Sequence, residues 1–321
     1  MMMFTYLAGG GLFPGDNWKA YLRLFLKFFI RKFFFRKNIV YGVDICKVSA
    51  PLSKRIWKLI GLFSDAIVVR NKHTVSILND AGLANKLYSG TDITFGMETP
   101  AEKSLRESQC HAGMIPLLSD LNIKLPYIVV VLAKPWTDDE TENEPYRSRY
   151  IKLCAQMIQL CNRIIEDGFL PVFLPFFHEN DRDFIRQVVS GLHGQYRVCE
   201  ENELPVEEKR LLFARAEACL SMRFHGIAFS LYYGIPCEAV CYAPKSLEMM
   251  NEAGLGNYCV QFGIRKDSCF FQEFDIDNDS LMRIYDDLLK DGIKEKFKAA
   301  SEYYKELAGN GEKLLLDVLC K

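Results

Sequence analysis

The chain has 321 residues, of which 49% are apolar and 25% charged, and its formal net charge is −1. Because one hydrophobic core seldom grows to this length, the sequence predicts two domains of an ordinary globular protein. The balanced charge gives no global positive field, so we exclude nucleic acid as a partner.

The chain begins with a predicted buried strand over 4–8, followed by the glycine-rich stretch GGGLFPGD over 9–16. Glycine has no Cβ, so the backbone here can approach a ligand closely. We therefore predict that Gly10 and Gly11 bind substrate, in a loop that leads from a strand into a helix.

A basic helix is predicted over 18–37, because Lys or Arg recurs at every fourth position from Lys19 to Arg31. The favoured interpretation makes it an outer helix of a sheet, with phenylalanines facing the core and bases facing solvent. The alternative is a peripheral contact with an anionic membrane through residues 19–37.

Strands and helices alternate through the rest of the first half. Strands are predicted over 39–45 and 65–70, and helices over 49–63 and 71–83. This alternation favours a parallel sheet with helical crossovers. Periodicity is weak between 98 and 124, so we place the domain boundary there, which gives domains 1–122 and 123–321.

The second half repeats this alternation from the apolar strand YIVVVLAKPW, 127–136, onwards. Further strands are predicted over 169–177, 196–200, 218–222 and 237–242, and helices over 148–167, 181–192, 206–216, 224–233, 246–253 and 279–319. Asp181 is predicted to cap its helix, and the last helical stretch to break near Gly292 and pack back on the N-terminal domain. We therefore expect an α/β protein with two Rossmann-like domains, whose parallel sheets face a central cleft.

Polar and basic residues follow several predicted strands, which is where parallel sheets bind ligands. An arginine two residues before a histidine, Arg223 and His225, begins a helix. Helix N–H groups and a guanidinium both donate to anions, and an imidazole can transfer a proton near neutral pH. An edge salt bridge and a buried core histidine remain the alternative for these two residues.

Short motifs carry a resemblance to a known family. The second half contains MRFHG, YYGIP and CYAPK, and the first half contains GGGLFPGD, VVRNKHTVSILNDAGL and Asp92 in GTDITF. Together they resemble the pattern of the polysaccharide pyruvyl transferases over nearly the whole chain. The resemblance implies a GT-B-like fold and the transfer of a pyruvyl group from phosphoenolpyruvate to a sugar as a ketal.

The resemblance also implies roles for individual residues. Phosphoenolpyruvate is a small, highly charged anion, which we expect Arg70, Arg223 and Lys245 to bind without any metal or further cofactor. We expect His225 to act as the acid and Asp16 to activate the acceptor hydroxyl. The structural alternatives are a helix N-cap at Asp16, an exposed ion pair at Arg70 and a solvated loop position at Lys245.

The sequence departs from the family pattern in several places. It is expected to lack the first strand–loop–helix unit of the family, which shortens the N-terminal domain on the acceptor side. Lys134, also predicted to bind the donor, stands where we expect Arg, while Asn71 and Gly226 stand in place of Asp and Ala. The alternative functions are therefore a GT-B nucleotide-sugar glycosyltransferase and a truncated, non-catalytic homologue.

The 11 cysteines include no CxxC pair, a pattern typical of reduced core thiols in a cytoplasmic protein and not of a zinc site. The sequence contains no apolar run of the length that a membrane-spanning helix needs. We therefore expect a cytoplasmic protein with a sugar or lipid-linked oligosaccharide as acceptor, and peripheral contact with the inner face of the membrane through residues 19–37 remains the alternative use of the basic helix.

Overall fold

The computed structural model describes residues 4–8, 16–34, 37–45, 48–83, 87–96, 123, 126–136, 138–176, 178–199, 204, 206–261 and 276–320, with the backbone course alone at 4–8, 138, 178–180 and 206–208. The chain forms two compact units. The first holds Met1–Met97 and Glu302–Lys321, and the second holds Glu98–Lys266 and Phe270–Ser301. Residues 98–122, where we placed the domain junction, lie outside the described residues, and the boundary stays a prediction.

The first unit contains a parallel sheet of four strands in the order β1-β2-β3-β4, with a helix in each crossover. Its elements are β1 (Phe4–Ala8), α1 (Trp18–Phe33), β2 (Lys37–Val43), α2 (Pro51–Phe63), β3 (Ala66–Val69), α3 (Lys72–Asp80), β4 (Leu87–Ser89) and a 3₁₀ turn (Ile93–Phe95). The predicted alternation is confirmed. However, α1 ends before 37, because Lys37 already pairs with Phe4 as the first residue of β2.

Both faces of the first sheet are covered, because successive strand residues point to opposite sides. On one face Val40, Val43, Ile67 and Val69 share a core with Tyr21, Leu24 and Phe28 of α1 and Ile56, Trp57 and Ile60 of α2. On the other face Ile39, Tyr41, Ala66 and Val68 pack against Leu314, Leu315, Val318 and Leu319 near the end of the chain.

The second unit contains a six-stranded parallel sheet. Its elements are β5 (Tyr127–Val131), α4 (Asp138–Thr141), α5 (Tyr146–Glu166), β6 (Leu170–Phe173), α6 (His178–Val189), β7 (Arg197–Val198), α7 (Val206–Leu211), β8 (Ala218–Ser221), α8 (Phe224–Tyr233), β9 (Cys237–Cys241), α9 (Pro244–Glu252), β10 (Cys259–Gln261) and α10 (Asn278–Leu288). The last helix, α11 (Ile293–Cys320), starts in this unit and ends in the first. The predicted break between α10 and α11 is confirmed at Gly292, whose φ is +81°.

The strand order of the second sheet is β10-β9-β8-β5-β6-β7. The chain therefore moves outward from β5 in one direction through β6 and β7, and then returns to the other side of β5 for β8. This reversal between β5 and β8 is the topological switch point of a Rossmann-type sheet, beside which ligands bind at the carboxyl ends of the strands. The expected α/β class with parallel, Rossmann-like sheets is confirmed.

Candidate active site

Residues from four strand–helix turns approach one another at the carboxyl edge of the second sheet. Neighbouring strands β9, β8, β5 and β6 lead respectively to Tyr242, Arg223, Lys134 and the helix that carries Asp181. Two of these turns, those after β8 and β5, flank the switch point. The edge that the sequence selected by the strand-end rule is thus the one where the fold concentrates polar side chains.

Arg223 connects three of these turns through its guanidinium. Nε donates to Oδ2 of Asp181 over 3.1 Å, Nη2 donates to the other carboxylate oxygen, and Nη1 donates to the Tyr242 hydroxyl over 3.0 Å. Burial alone lowers the pKa of Arg223, but its bonds to Asp181 and the charges beside it outweigh burial and raise the pKa. The guanidinium is therefore a fixed positive charge. The Arg223 side chain remains 20% exposed, so a ligand can reach it.

The predicted cap at Asp181 is wrong. Helix α6 begins three residues earlier, at His178, and the Asp181 side chain is completely buried against Arg223. A buried carboxylate needs a paired cation. The Asp181 carboxylate therefore binds and orients the Arg223 guanidinium, and it does not cap the N-terminus of α6. The side chain of His178 lies outside the described residues.

His225 lies in the first turn of α8 and is exposed. Its ring centroid is 5.6 Å from that of Phe224 and 6.4 Å from that of Phe229, so two aromatic rings border the imidazole. The alternative of a buried core histidine is therefore wrong. The imidazole lies at a surface that a ligand can reach, on the same helix end as Arg223.

Lys245 adds a second cation beside this turn. It lies in the first turn of α9, and its Nζ is 5.4 Å from the centroid of the Phe224 ring. Neither α8 nor α9 has an acidic residue in its first turn or a side-chain hydrogen bond from its N-cap residue. Two helix N-termini, each with partial positive charge, thus lie beside Arg223, His225 and Lys245, an arrangement suited to a multiply charged anion.

Lys134 follows β5 and is half-buried. Its Nζ lies 5.1 Å from the centroid of the Tyr150 ring on α5, at a distance typical of a cation–π contact. The structure therefore places this cation at the carboxyl edge of the sheet with its stem supported by an aromatic ring. Its predicted contact with the donor stays a prediction.

Steric crowding explains why glycine and not alanine occupies position 226. A Cβ at this position would lie 2.3 Å from Oγ of Ser221 and 3.2 Å from a methyl carbon of Val131. Oγ of Ser221 donates to the carbonyl oxygen of Arg223 over 2.9 Å, which holds the turn between β8 and α8. The departure from Ala at 226 is therefore matched to the serine that ends the preceding strand.

Arg70 in the first unit is paired within a buried network. Nη1 donates to Oδ2 of Asp92 over 3.2 Å, and Nη2 donates to Oδ2 of Asp44. Asn71 donates to the other oxygen of Asp44 over 3.1 Å, and its own Oδ1 caps α3 by accepting from the backbone of Thr74 over 2.7 Å. Only 5% of Arg70 is exposed. The exposed ion pair that we weighed as an alternative is thus a buried one, and donor binding by Arg70 stays a prediction.

Asp16 caps α2 across the chain. Its Oδ2 accepts from the backbone N–H of Ser49 over 2.8 Å and of Ala50 over 2.6 Å, directly before the helix begins. Burial alone raises the pKa of Asp16, but these hydrogen bonds outweigh it and lower the pKa. A carboxylate of lowered pKa is a weaker base. The role of Asp16 in activating the acceptor hydroxyl stays a prediction. Gly10 and Gly11 lie outside the described residues.

The sequence analysis did not predict that two buried acids pair with the arginines of the candidate site. Asp44 follows β2 and pairs with Arg70, and Asp181 pairs with Arg223. The strand-end rule could have found Asp44, since it is the last residue but one of the strand predicted over 39–45 and directly follows β2 in the structure. Among the described residues, no group of three or more His, Cys, Asp or Glu side chains could hold a metal ion.

The fold defines a class, the α/β proteins of GT-B-like fold with Rossmann-type parallel sheets. UDP-GlcNAc 2-epimerase from Methanocaldococcus jannaschii superimposes with a TM-score of 0.54 at 12% identity, over 95% of this chain and 77% of that one. UDP-GlcNAc 2-epimerase from Neisseria meningitidis, bound to UDP-GlcNAc, gives 0.54 at 11% identity, over 96% and 84%. An E. coli structure described as trehalose-6-phosphate bound with UDP-2-fluoro glucose gives 0.50 at 10% identity, over 94% and 78%. At these identities the likeness shows the fold alone.

The sequence itself defines the family. The family model described as polysaccharide pyruvyl transferase matches residues 3–240, about three quarters of the chain. The chain therefore belongs to the polysaccharide pyruvyl transferase family. No curated protein matches its sequence significantly.

Proposed function

We propose that the protein transfers the pyruvyl group of phosphoenolpyruvate to a sugar of a cell-surface polysaccharide or of its precursor, as a ketal. Membership of the family supports the reaction class. The observation that carries the choice of donor is the position of the Lys245 ammonium, 5.4 Å from the Phe224 ring and hence beside the helix turn that presents His225. This turn combines cations with a proton carrier, and no acidic residue occurs in the first turn of either helix.

The donor has two anionic groups, a phosphate and a carboxylate, and the turn offers a cation for each. Arg223 is oriented by the buried Asp181 and has the planar donor pattern that suits phosphate or carboxylate. Lys245 supplies a point charge at the second helix end. We propose that these two residues bind phosphoenolpyruvate, with Lys134 as a further cation from the neighbouring turn.

Ketal formation needs one proton donor and one proton acceptor. In the proposed reaction the imidazolium of His225 gives its proton to the methylene carbon, and the electron pair of the C=C bond forms the new C–H bond. A hydroxyl oxygen of the sugar attacks the cationic central carbon and phosphate leaves with the C–O electron pair. A second hydroxyl then closes the ketal on the same carbon.

The protons balance if His225 works in both directions. Two hydroxyl protons are released and one is consumed at the methylene carbon, while the departing phosphate takes the other. After giving up its proton, the neutral imidazole of His225 can accept one from the attacking hydroxyl, in keeping with ordinary acid–base catalysis. Asp16 is the sequence-predicted base for the acceptor, and we keep it as the alternative acceptor of that proton.

We also propose a cytoplasmic site of action, with a sugar or a lipid-linked oligosaccharide as acceptor. The cysteines of the described part of the chain are all free thiols, seven of them buried or half-buried in the second unit, which supports a reducing compartment. Among the described residues no helix is long and apolar enough to cross a membrane.

A nucleotide-sugar glycosyltransferase is the second candidate, since two of the structures with this fold were solved with UDP-sugar ligands. That function predicts a glutamate for the ribose in the second domain. The first turn of α9, where Lys245 lies, has no acidic residue. This difference favours phosphoenolpyruvate over a nucleoside diphosphate at the turn.

The decisive experiment measures ligand binding by the whole chain. Phosphoenolpyruvate at 100 times its Kd should raise the free energy of unfolding by about 2.7 kcal/mol, seen as a higher Tm, while UDP and UDP-GlcNAc leave the Tm unchanged. Lys245→Ala should abolish the shift, and Lys296→Ala, an exposed lysine on α11, should preserve it. A shift with UDP-sugars alone would support the second candidate, and a shift with neither ligand would support a non-catalytic homologue.

A further inference from the structure

Helices α1 and α2 lie side by side over one face of the first sheet. The rings of Tyr21 and Trp57 are 5.4 Å apart, and Phe63 contacts Phe25 and Phe29 at 5.7 and 5.2 Å. The side-chain amide of Asn38 donates to both helices, to the carbonyl oxygens of Phe28 in α1 and Phe63 in α2, over 2.9 Å each. The two helices therefore form one firmly joined outer layer.

The outward face of α1 is apolar as well as basic. Tyr21, Leu24 and Phe28 face the core, whereas Leu26, Ile30 and Phe33 are 46%, 55% and 68% exposed. These three exposed residues recur at i, i+4 and i+7, which places them on one side of the helix. The favoured interpretation places the phenylalanines toward the core and the bases toward solvent: Phe28 and the bases agree with it, and the exposed Phe33 does not.

The bases of α1 flank this apolar row. Lys19, Arg23 and Lys27 are exposed and fall within the same half of the helix surface as Leu26 and Ile30, at 100° per residue. Phe34, directly after the helix, is 68% exposed and extends the apolar surface at its end.

Helix α2 repeats the pattern. Leu59 and Leu62 are 41% and 66% exposed, and Arg55 and Lys58 are exposed on the same side. Neither α1 nor α2 contains an Asp or Glu residue. We call the exposed residues of the two helices the basic–apolar face, made of Lys19, Arg23, Leu26, Lys27, Ile30, Phe33, Arg55, Lys58, Leu59 and Leu62.

We propose that the basic–apolar face binds peripherally to an anionic phospholipid bilayer. The leucine, isoleucine and phenylalanine side chains enter the boundary between headgroups and acyl chains, and the lysines and arginines contact the lipid phosphates. Helices that lie in a membrane surface combine these two features, and each basic residue near an anionic leaflet strengthens binding about 5-fold.

Charge complementarity selects this occupant over the others. A second copy of the chain, related by a twofold axis, would bring the same bases against one another in a low-dielectric contact, which is repulsive. A nucleic acid would leave the exposed leucines and phenylalanine against a polar backbone. An anionic lipid bilayer offers acyl chains to the apolar residues of the face and phosphates to its basic residues. The proposal is independent of which donor binds the second unit.

The test is flotation of the full chain with vesicles. The protein should float with vesicles of phosphatidylcholine mixed with phosphatidylglycerol, remain behind with phosphatidylcholine alone, and lose most of its binding at high salt. Size-exclusion chromatography with light scattering on the same sample reports self-association. Absence of flotation by the folded protein would overturn the proposal, as would a stable dimer that Ile30→Glu converts to a monomer.

Matched variants locate the contact. Ile30→Glu should reduce vesicle binding at least about 10-fold, because it removes apolar area and adds a repelled charge. Ile151→Glu is the control, since Ile151 is a helix residue of the second unit with 59% exposure against 55% for Ile30. Arg23→Glu should weaken binding about 10-fold, and Arg147→Glu, an exposed arginine on α5, should not. Equal binding by Ile30→Glu and Ile151→Glu, both with the parent Tm, would refute the assignment.

Discussion

Arg223 and Asp181 are 42 residues apart in sequence, yet the guanidinium of one donates two hydrogen bonds to the carboxylate of the other. They come from the turns after β8 and β6, which lie on either side of β5. The pair therefore spans β5 at the carboxyl edge of the second sheet. It positions a cation at the switch point, and it leaves a completely buried carboxylate dependent on that cation.

Removing Arg223 should affect both stability and binding. Arg223→Ala leaves the Asp181 carboxylate buried and unpaired, and we expect the free energy of unfolding to fall by about 3–5 kcal/mol in urea titrations. Binding of phosphoenolpyruvate, followed by calorimetric titration, should be lost as well. Arg186→Ala, whose side chain is 67% exposed, is the control and should change stability by less than about 0.5 kcal/mol.

A double variant separates these two effects. Replacing both partners, Arg223→Met with Asp181→Leu, removes the orphaned charge and should recover most of the lost stability. It should not recover affinity for phosphoenolpyruvate. If the double variant binds the donor like the parent protein, Arg223 supports the fold only.

The imidazole of His225 should matter for turnover and not for donor affinity. His225→Gln keeps a polar side chain at this exposed position but cannot carry a proton near neutral pH. We expect phosphate release from phosphoenolpyruvate, measured with a panel of sugar acceptors, to fall about 10²–10⁴-fold with an unchanged donor Kd. His193→Gln, at another exposed histidine of the second unit, should have no effect on either quantity.

Asp16 offers a test between a capping and a catalytic role. Asp16→Ala should lower the free energy of unfolding by about 0.5–2 kcal/mol, since the start of α2 loses its acceptor. The folded-state pKa is lowered, so this contribution is present above the pKa of the unfolded chain and is lost as the pH falls through the folded value. The parent and variant should therefore converge in thermal melts at acidic pH. A turnover loss beyond about 100-fold at unchanged Tm would instead identify Asp16 as the base.

Glu238, on β9, should make the protein less stable as the pH rises. It is 1% exposed, and neither carboxyl oxygen has a hydrogen-bond partner among the described residues. Burial, with a smaller effect of the negative Asp286, raises its pKa well above the ordinary 4.5. The folded protein then keeps a proton that the unfolded chain loses above about pH 4.5, so the free energy of unfolding decreases beyond that pH.

Glu238→Gln removes this ionisation. We expect the variant to match the parent protein near pH 4 and to exceed it by about 1–3 kcal/mol at pH 8, in urea titrations at both pH values. Glu166→Gln, at an exposed glutamate of α5, is the control and should leave the pH dependence as it is. A parent protein whose stability is flat between these pH values would contradict the buried, protonated state.

Much of the fold and part of the site follow from local patterns. Alternating apolar strands and amphipathic helices predicted the parallel sheets, and the strand-end rule selected Arg223, His225 and Lys245. What local patterns omit is the order of strands in the sheet. From the sequence, Asp181 was predicted to cap its own helix. Its partner Arg223 comes close to it only because the folded sheet places β8 and β6 on either side of β5.

Burial of a helix face was the other point where sequence and structure differed. In α1 nearly every position not occupied by a base is apolar, so the sequence cannot say which side faces the sheet. Packing against Trp57 and Phe63 of α2 decides it, and Leu26 and Ile30 remain outside.

The position of helix α11 affects the order in which the first unit can complete its packing during translation. Its final residues, Leu314 to Leu319, cover the face of the first sheet that Ile39 and Tyr41 line. The second unit lies between these strands and α11 in the sequence, so a ribosome makes the strands well before the helix that covers them. The nascent chain must therefore carry a bare apolar sheet face while the whole second unit is synthesised.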